Sequence, residues 1–208
     1  MSGVAAALVA ARLVATDVSG VPHVAIVYDI EPGWHIYWEN PGESGMATTA
    51  DLRGPVGVVK YPGPDRFVGA GDIVTYGWET QAALFFPVTG VGTVEGATRW
   101  LACRADSCVP GTASLSLDIP AGSQPGSVLV PAVGRLPQPH VATESARFMQ
   151  FSLPGVGEVF PDVALAALVA RTTIAGNLVT VELRAPRPPG SKLVARSGTQ
   201  YYQVPEVP

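Results

Sequence analysis

The chain's most reactive side chains are its two cysteines, Cys103 and Cys108, the only ones among 208 residues. They lie in the run Trp100-Leu101-Ala102-Cys103-Arg104-Ala105-Asp106-Ser107-Cys108-Val109-Pro110, close enough to bridge if the intervening segment turns back on itself. Three chemistries fit a pair at this spacing. A structural staple is the plainest in an oxidising compartment. Its yield is small, because closing a loop of about six residues removes only about 2 kcal/mol of unfolded-state entropy, against nearly 5 for a loop of about 100. A short exposed bridge is also open to exchange, so a reversible dithiol is the second chemistry. It depends on exposure and on a lowered thiol pKa, which Arg104 would favour and Asp106 oppose. The third is a two-thiolate Cu(I) site, since both ligands are soft. A mononuclear zinc site would want four ligands, and only His23, His35 and His140 could add to the pair. Spacing alone leaves these alternatives open.

A second concentration of side chains lies in residues 31–45, EPGWHIYWENPGESG, which hold two of the four tryptophans beside a Gly/Pro-rich turn. As a strand, this run places His35 and Tyr37 on one face and Trp34, Ile36 and Trp38 on the other. Such a strand is most simply core on one side and surface on the other; an aromatic pair facing a disulfide is the sharper alternative. Glu39, Glu43 and Asp72 read as turn or surface groups. Trp78, Trp100, Phe85 and Phe86 read as core or sheet-face aromatics. No serine lies in a G-x-S-x-G context and no glycine loop suits a phosphate, which disfavours a hydrolase or a nucleotide enzyme.

The elements that must position these residues are short strands. Hydrophobic residues make up 47% and charged residues 14% of the chain, so it can bury a core. Its 23 glycines and 20 prolines suit many short strands and turns and sit badly with long helices. With 13 Lys and Arg against 17 Asp and Glu, the net charge of −4 excludes a nucleic-acid binder driven by a basic surface. No run of 18 or more apolar residues reads as a membrane span. The apolar run 4–11 has no basic segment before it and is closed by Arg12, so it reads as a first strand rather than a retained signal peptide.

Residues 13–30 read as a hairpin around Ser-Gly-Val-Pro, and residues 34–38, 57–61, 82–89, 99–103 and 112–119 as further strands. That spacing suggests an all-β, immunoglobulin-like β-sandwich. Between Ile119 and Pro139, five prolines and three glycines in 21 residues mark a linker. The expected organisation is a first domain over 1–120, a linker over 121–139 and a smaller β-rich domain over 140–208. In that last part LVTVELRA and Gln200-Tyr201-Tyr202-Gln203-Val204 are strand-like, while residues 163–170, VALAALVA, fit either helix or buried strand.

Taken in order, EPGWHIYWENPGESG, the run TYGWE at 75–79 and WLACRADSCVPGTASLSL at 100–117 resemble the N-terminal periplasmic domain of the thiol:disulfide interchange protein DsbD, in its ScsB-like branch. The likeness runs from about Leu13 to Ile119. It implies an immunoglobulin-like sandwich whose cysteines shuttle between dithiol and disulfide, with no cofactor and no metal. Cys108 matches the cysteine that forms the mixed disulfide with a partner, and Cys103 the one that resolves it. His35 and Tyr37 match two aromatic positions near the redox pair. Phe67, in PDRFVG, matches a cap over the disulfide, with Asp65 beside it.

The resemblance further implies a periplasmic location and a membrane-embedded redox domain as electron donor. It implies a periplasmic disulfide isomerase or thioredoxin-like protein as acceptor. Nothing in the chain resembles the family's membrane or thioredoxin-like domains, so the donor is expected on another chain or beyond this one. The tail after His140 resembles the longer ScsB-like N-terminal region. A monomer is expected. The competing classes are a secreted β-sandwich binding module with an inert bridge and a copper-handling module.

Overall fold

The computed structural model describes residues 8–120 and 130–204, which divide into two compact units between Val133 and Gly134. In the first, nine strands follow one another: β1 Val9–Val18, β2 Val21–Ile30, β3 His35–Gly42, β4 Thr49–Arg53, β5 Asp65–Val68, β6 Val74–Glu79, β7 Gln81–Pro87, β8 Gly92–Arg104 and β9 Ser107–Ile119. They form two sheets. One has the order β1-β2-β7. In the other, β9 lies along one edge of β8, β4 and β3 share its opposite edge, and β6 and β5 follow beyond β3.

The hairpin read from residues 13–30 is present, with a tighter turn than the sequence suggested. Val18 pairs with Val21, so only Ser19 and Gly20 turn, both at positive φ of 53° and 82°. That is the twist a two-residue hairpin loop requires, and Asp17 holds it by accepting a hydrogen bond from the Gly20 amide at 2.6 Å. The first strand begins at Val9; residues 4–7 lie outside the described residues.

Two readings need correction. Residues 57–61 form no strand: they touch the neighbouring sheet only through the isolated bridges Val56–Val88 and Lys60–Phe85. Prolines at 55, 62 and 64 remove the donors a ladder would need. Residues 163–170 divide, Val163–Ala166 becoming a one-turn helix (α1) before the next strand starts at Val169. Asp162 caps that turn, one carboxylate oxygen accepting from the Leu165 amide and the other from the Lys192 amide, each at 2.7 Å.

The second unit holds β10 Gln138–Pro139, β11 Thr143–Ser145, β12 Phe148–Ser152, β13 Val156–Pro161, β14 Val169–Ala175, β15 Leu178–Leu183, β16 Leu193–Ser197 and β17 Gln200–Val204. They make two four-stranded sheets around a core that includes Met149, Phe151, Leu165, Val181 and Leu193. The pairing of β10 with β17 brings Gln138 and Pro139 into this unit.

The core of the first unit explains why the functional strands are held rigidly. Ile36, Trp38, Trp78 and Ala102 point inward from the six-stranded sheet, and Ile26, Tyr28 and Leu84 from the three-stranded one, all at most 2% exposed. Within it runs a polar chain. The Thr98 hydroxyl donates to the Thr49 carbonyl at 2.8 Å, so the Tyr28 hydroxyl is the donor in its short bond to Thr98. Burial drives the Tyr28 phenol well above its ordinary pKa, keeping it a donor. Thr98→Val strands a buried hydroxyl, whereas Tyr28→Phe leaves Thr98 bonded to Thr49. In urea unfolding the first should cost about 2–3 kcal/mol and the second about 1.

Candidate functional site

Strands β8 and β9 are joined by a turn at Ala105 and Asp106, which sets Cys103 directly opposite Cys108. The two are disulfide-bonded, with Cα atoms 4.1 Å apart. The same register continues across the sheet: Cys103 pairs with His35 on β3, and His35 with Glu79 on β6. Side chains opposite one another in a ladder share a face, so Cys108, Cys103, His35 and Glu79 form one row on the outer side of the sheet. Two residues further along β3, Tyr37 pairs with Gly77, and Gly77 with Asp65 on β5. Alternation then puts Phe67 on that face as well. All six residues singled out in the sequence are therefore brought to one face of one sheet.

Three of them pack as an aromatic cluster. The His35 ring stacks on Phe67 with centroids 5.0 Å apart, and Tyr37 meets His35 edge-on at 5.1 Å. The Trp78 indole donates to the Gly63 carbonyl at 3.1 Å, anchoring the approach to β5 and hence the position of Asp65 and Phe67. On the other flank Gly45, at φ 100°, approaches so closely that a Cβ there would lie 2.4 Å from the Tyr37 ring. The Thr48 amide also donates to the Tyr37 carbonyl at 3.2 Å.

The two sulfurs are unequally placed. Cys103 is 3% exposed, whereas Cys108 lies on the edge strand β9 and is exposed. An incoming thiolate therefore meets Cys108 first. Arg104 does not do what its sequence position suggested: it projects to the opposite face and lies over the Trp34 ring at 4.8 Å. Its charge is held against the indole rather than aimed at the bridge. Burial lowers the pKa of His35, partly opposed by Glu79, and burial raises that of Tyr37.

Comparison with known proteins assigns the first unit to a family. The model of the family described as thiol:disulfide interchange protein DsbD, N-terminal, matches residues 8–120. The chain belongs to that family. No curated protein matches it. Among solved structures, the N-terminal periplasmic domain of ScsB from Proteus mirabilis is similar over 96% of this chain and 92% of its own, with 17% identity and a TM-score of 0.60. The reduced DsbD N-terminal domain from Neisseria meningitidis is 10% identical over 54% of this chain and 91% of its own, with a TM-score of 0.37. The first likeness takes in both units, and the fold of the first unit is the immunoglobulin-like sandwich of DsbD N-terminal domains.

In this DsbD-family domain, three positioning residues escaped the sequence reading. Gly45 closes the 31–45 motif, yet its packing on Tyr37 depends on how the loop folds back. Gly63 acts through its carbonyl, which no side-chain pattern reveals. Glu79 lies at the end of the TYGWE run, and only the β3–β6 register places it in the row with the cysteines.

The lowered pKa values of His35 and His23, each caused first by burial, fix the sign of one pH effect. Above the ordinary value of 6.5 both imidazoles are neutral in the folded and unfolded chain and contribute nothing. As the pH falls through that value the unfolded chain takes up the protons first, so stability drops. The urea midpoint should fall between about pH 7 and about pH 5. His35→Phe should flatten that slope, and an unchanged slope would mean that the His35 ring is not desolvated.

Proposed function

We propose that this protein is a periplasmic thiol–disulfide exchange domain that acts as a protein-disulfide reductase component through Cys103 and Cys108. The observation that carries the reading is the inequality of the bridged pair, one sulfur exposed on an edge strand and the other buried. Membership of the DsbD N-terminal family supports it, since that family is named for interchange. The ScsB domain of similar fold is periplasmic, which supports the location.

In this reading a membrane-embedded redox domain of the DsbD/ScsB kind supplies the electrons. Its thiolate attacks Cys108 Sγ, the Cys103–Cys108 bond breaks, and Cys103 leaves; a second donor thiol then frees Cys108, leaving a dithiol here and a disulfide on the donor. In the next half-cycle the Cys108 thiolate attacks the disulfide of a periplasmic isomerase or thioredoxin-like protein. Cys103 then attacks Cys108 Sγ, which re-forms the bridge and releases the acceptor as a dithiol. Two electrons pass in each half-cycle and no cofactor is needed. Phe67 and Tyr37, packed about His35, act as a cap that limits encounters with unrelated thiols, and Asp65 lies beside the cap on β5.

The roles are separable by trapping. The Cys103→Ser variant, with Cys108 free, should accumulate a mixed disulfide with a protein or small-molecule disulfide. Cys108→Ser, whose remaining thiol is buried, should trap little. Nonreducing gels or intact mass would show this, and equal trapping by the two variants would overturn the assignment.

A further inference from the structure

Re-forming the bridge poses a local problem. Cys103 must lose a proton before its sulfur can attack, yet at 3% exposure it has little access to solvent. A thiol shut away from solvent and from any base is a poor nucleophile, because the thiolate is the attacking form. The charged neighbours do not serve. Arg104 lies over Trp34 on the opposite face, and Glu79 on β6 and Asp65 on β5 are both separated from Cys103 by β3. Asp106 is in the exposed turn, and β9 offers only Cys108. Of the other two histidines, His23 is on β2 of the three-stranded sheet and His140 is in the second unit.

His35 remains, as the cross-strand partner of Cys103. Residues so paired have Cβ atoms about 4.5–5.5 Å apart. We propose that the His35 imidazole accepts the Cys103 proton as that thiol closes the bridge. This rests on the exchange reading above. In the step, the Cys103 S–H proton passes to the imidazole, and the sulfur's electron pair forms the bond to Cys108 Sγ. The bond from Cys108 to the acceptor breaks, the acceptor's sulfur leaves as a thiolate, and the imidazolium returns the proton to that thiolate or to solvent. Tyr37 on β3 and Phe67 on β5 contact the ring, and Glu79 on β6, Cys103 on β8 and Asp65 on β5 share its face of the sheet. Burial among them keeps the imidazole neutral, which an acceptor must be.

The test uses the reduced full chain and the chromogenic disulfide dithiobis-nitrobenzoate in stopped flow. The first coloured thiolate reports attack by Cys108, and the second reports resolution by Cys103. In His35→Phe, which keeps an aromatic ring against Phe67, and in His35→Gln, the second release should slow relative to the first by on the order of tenfold to a hundredfold near pH 7. Both variants should approach the parent rate above about pH 9, where the thiol ionises unaided. The inflection below the thiol range should vanish. Slowing in only one variant, equal slowing of both releases, or an unchanged pH profile would make His35 a packing residue and overturn the proposal. A parent chain that releases one thiolate or none would overturn the exchange reading itself, and this proposal with it.

Discussion

Everything at the site depends on one register, the pairing of Cys103 with Cys108 across the β8–β9 hairpin. Because a ladder has a period of two, a slip of one residue between β8 and β9 would send the two sulfurs to opposite faces. The register is fixed from both sides. The two-residue turn at 105–106 sets it locally, while Ala102 and Trp100, buried on the inner face, hold β8 against the core. Cys103 thus sits on a strand held by the core, and the exposed Cys108 sits on the edge strand beside it.

That arrangement divides the labour of the site between two elements. Strand β8 contributes a buried sulfur that cannot be reached directly, and β9 contributes an exposed one that can. The aromatic cluster belongs to β3 and β5, which are tied down by Trp78 and Gly63 and by the close approach of Gly45 to Tyr37. Arg104 is engaged with Trp34, so the proposed exchange relies for its selectivity on access and proton handling rather than on that charge.

Much of this was legible in the residues. The alternation in Trp34-His35-Ile36-Tyr37-Trp38 marked the two faces of β3, with His35 and Tyr37 on one and Trp34, Ile36 and Trp38 on the other. The hairpin of residues 13–30 was marked by its glycine turn. Less visible were the pairings between distant strands, such as β3 with β8, since no local pattern encodes who lies beside whom. The 57–61 run failed as a strand because apolar residues there suggested a ladder that the surrounding prolines forbid. The unequal exposure of the two sulfurs, on which the functional reading turns, depends on which strand is the edge, and that is a property of topology alone. Arg104 misled for a similar reason: its neighbour in sequence is Cys103, but its neighbour in space is Trp34.

The central claim is that the bridge opens and closes within a folded domain. It is tested most directly by equilibrating the protein in graded dithiothreitol redox buffers, reading the fraction reduced by thiol labelling and mass, and following the near-ultraviolet signal of the buried tryptophans in the same samples. The account predicts reversible reduction at a potential above about −300 mV with the tryptophan signal retained. Reduction only below that potential, or only as the signal collapses, would show an inert staple and contradict it.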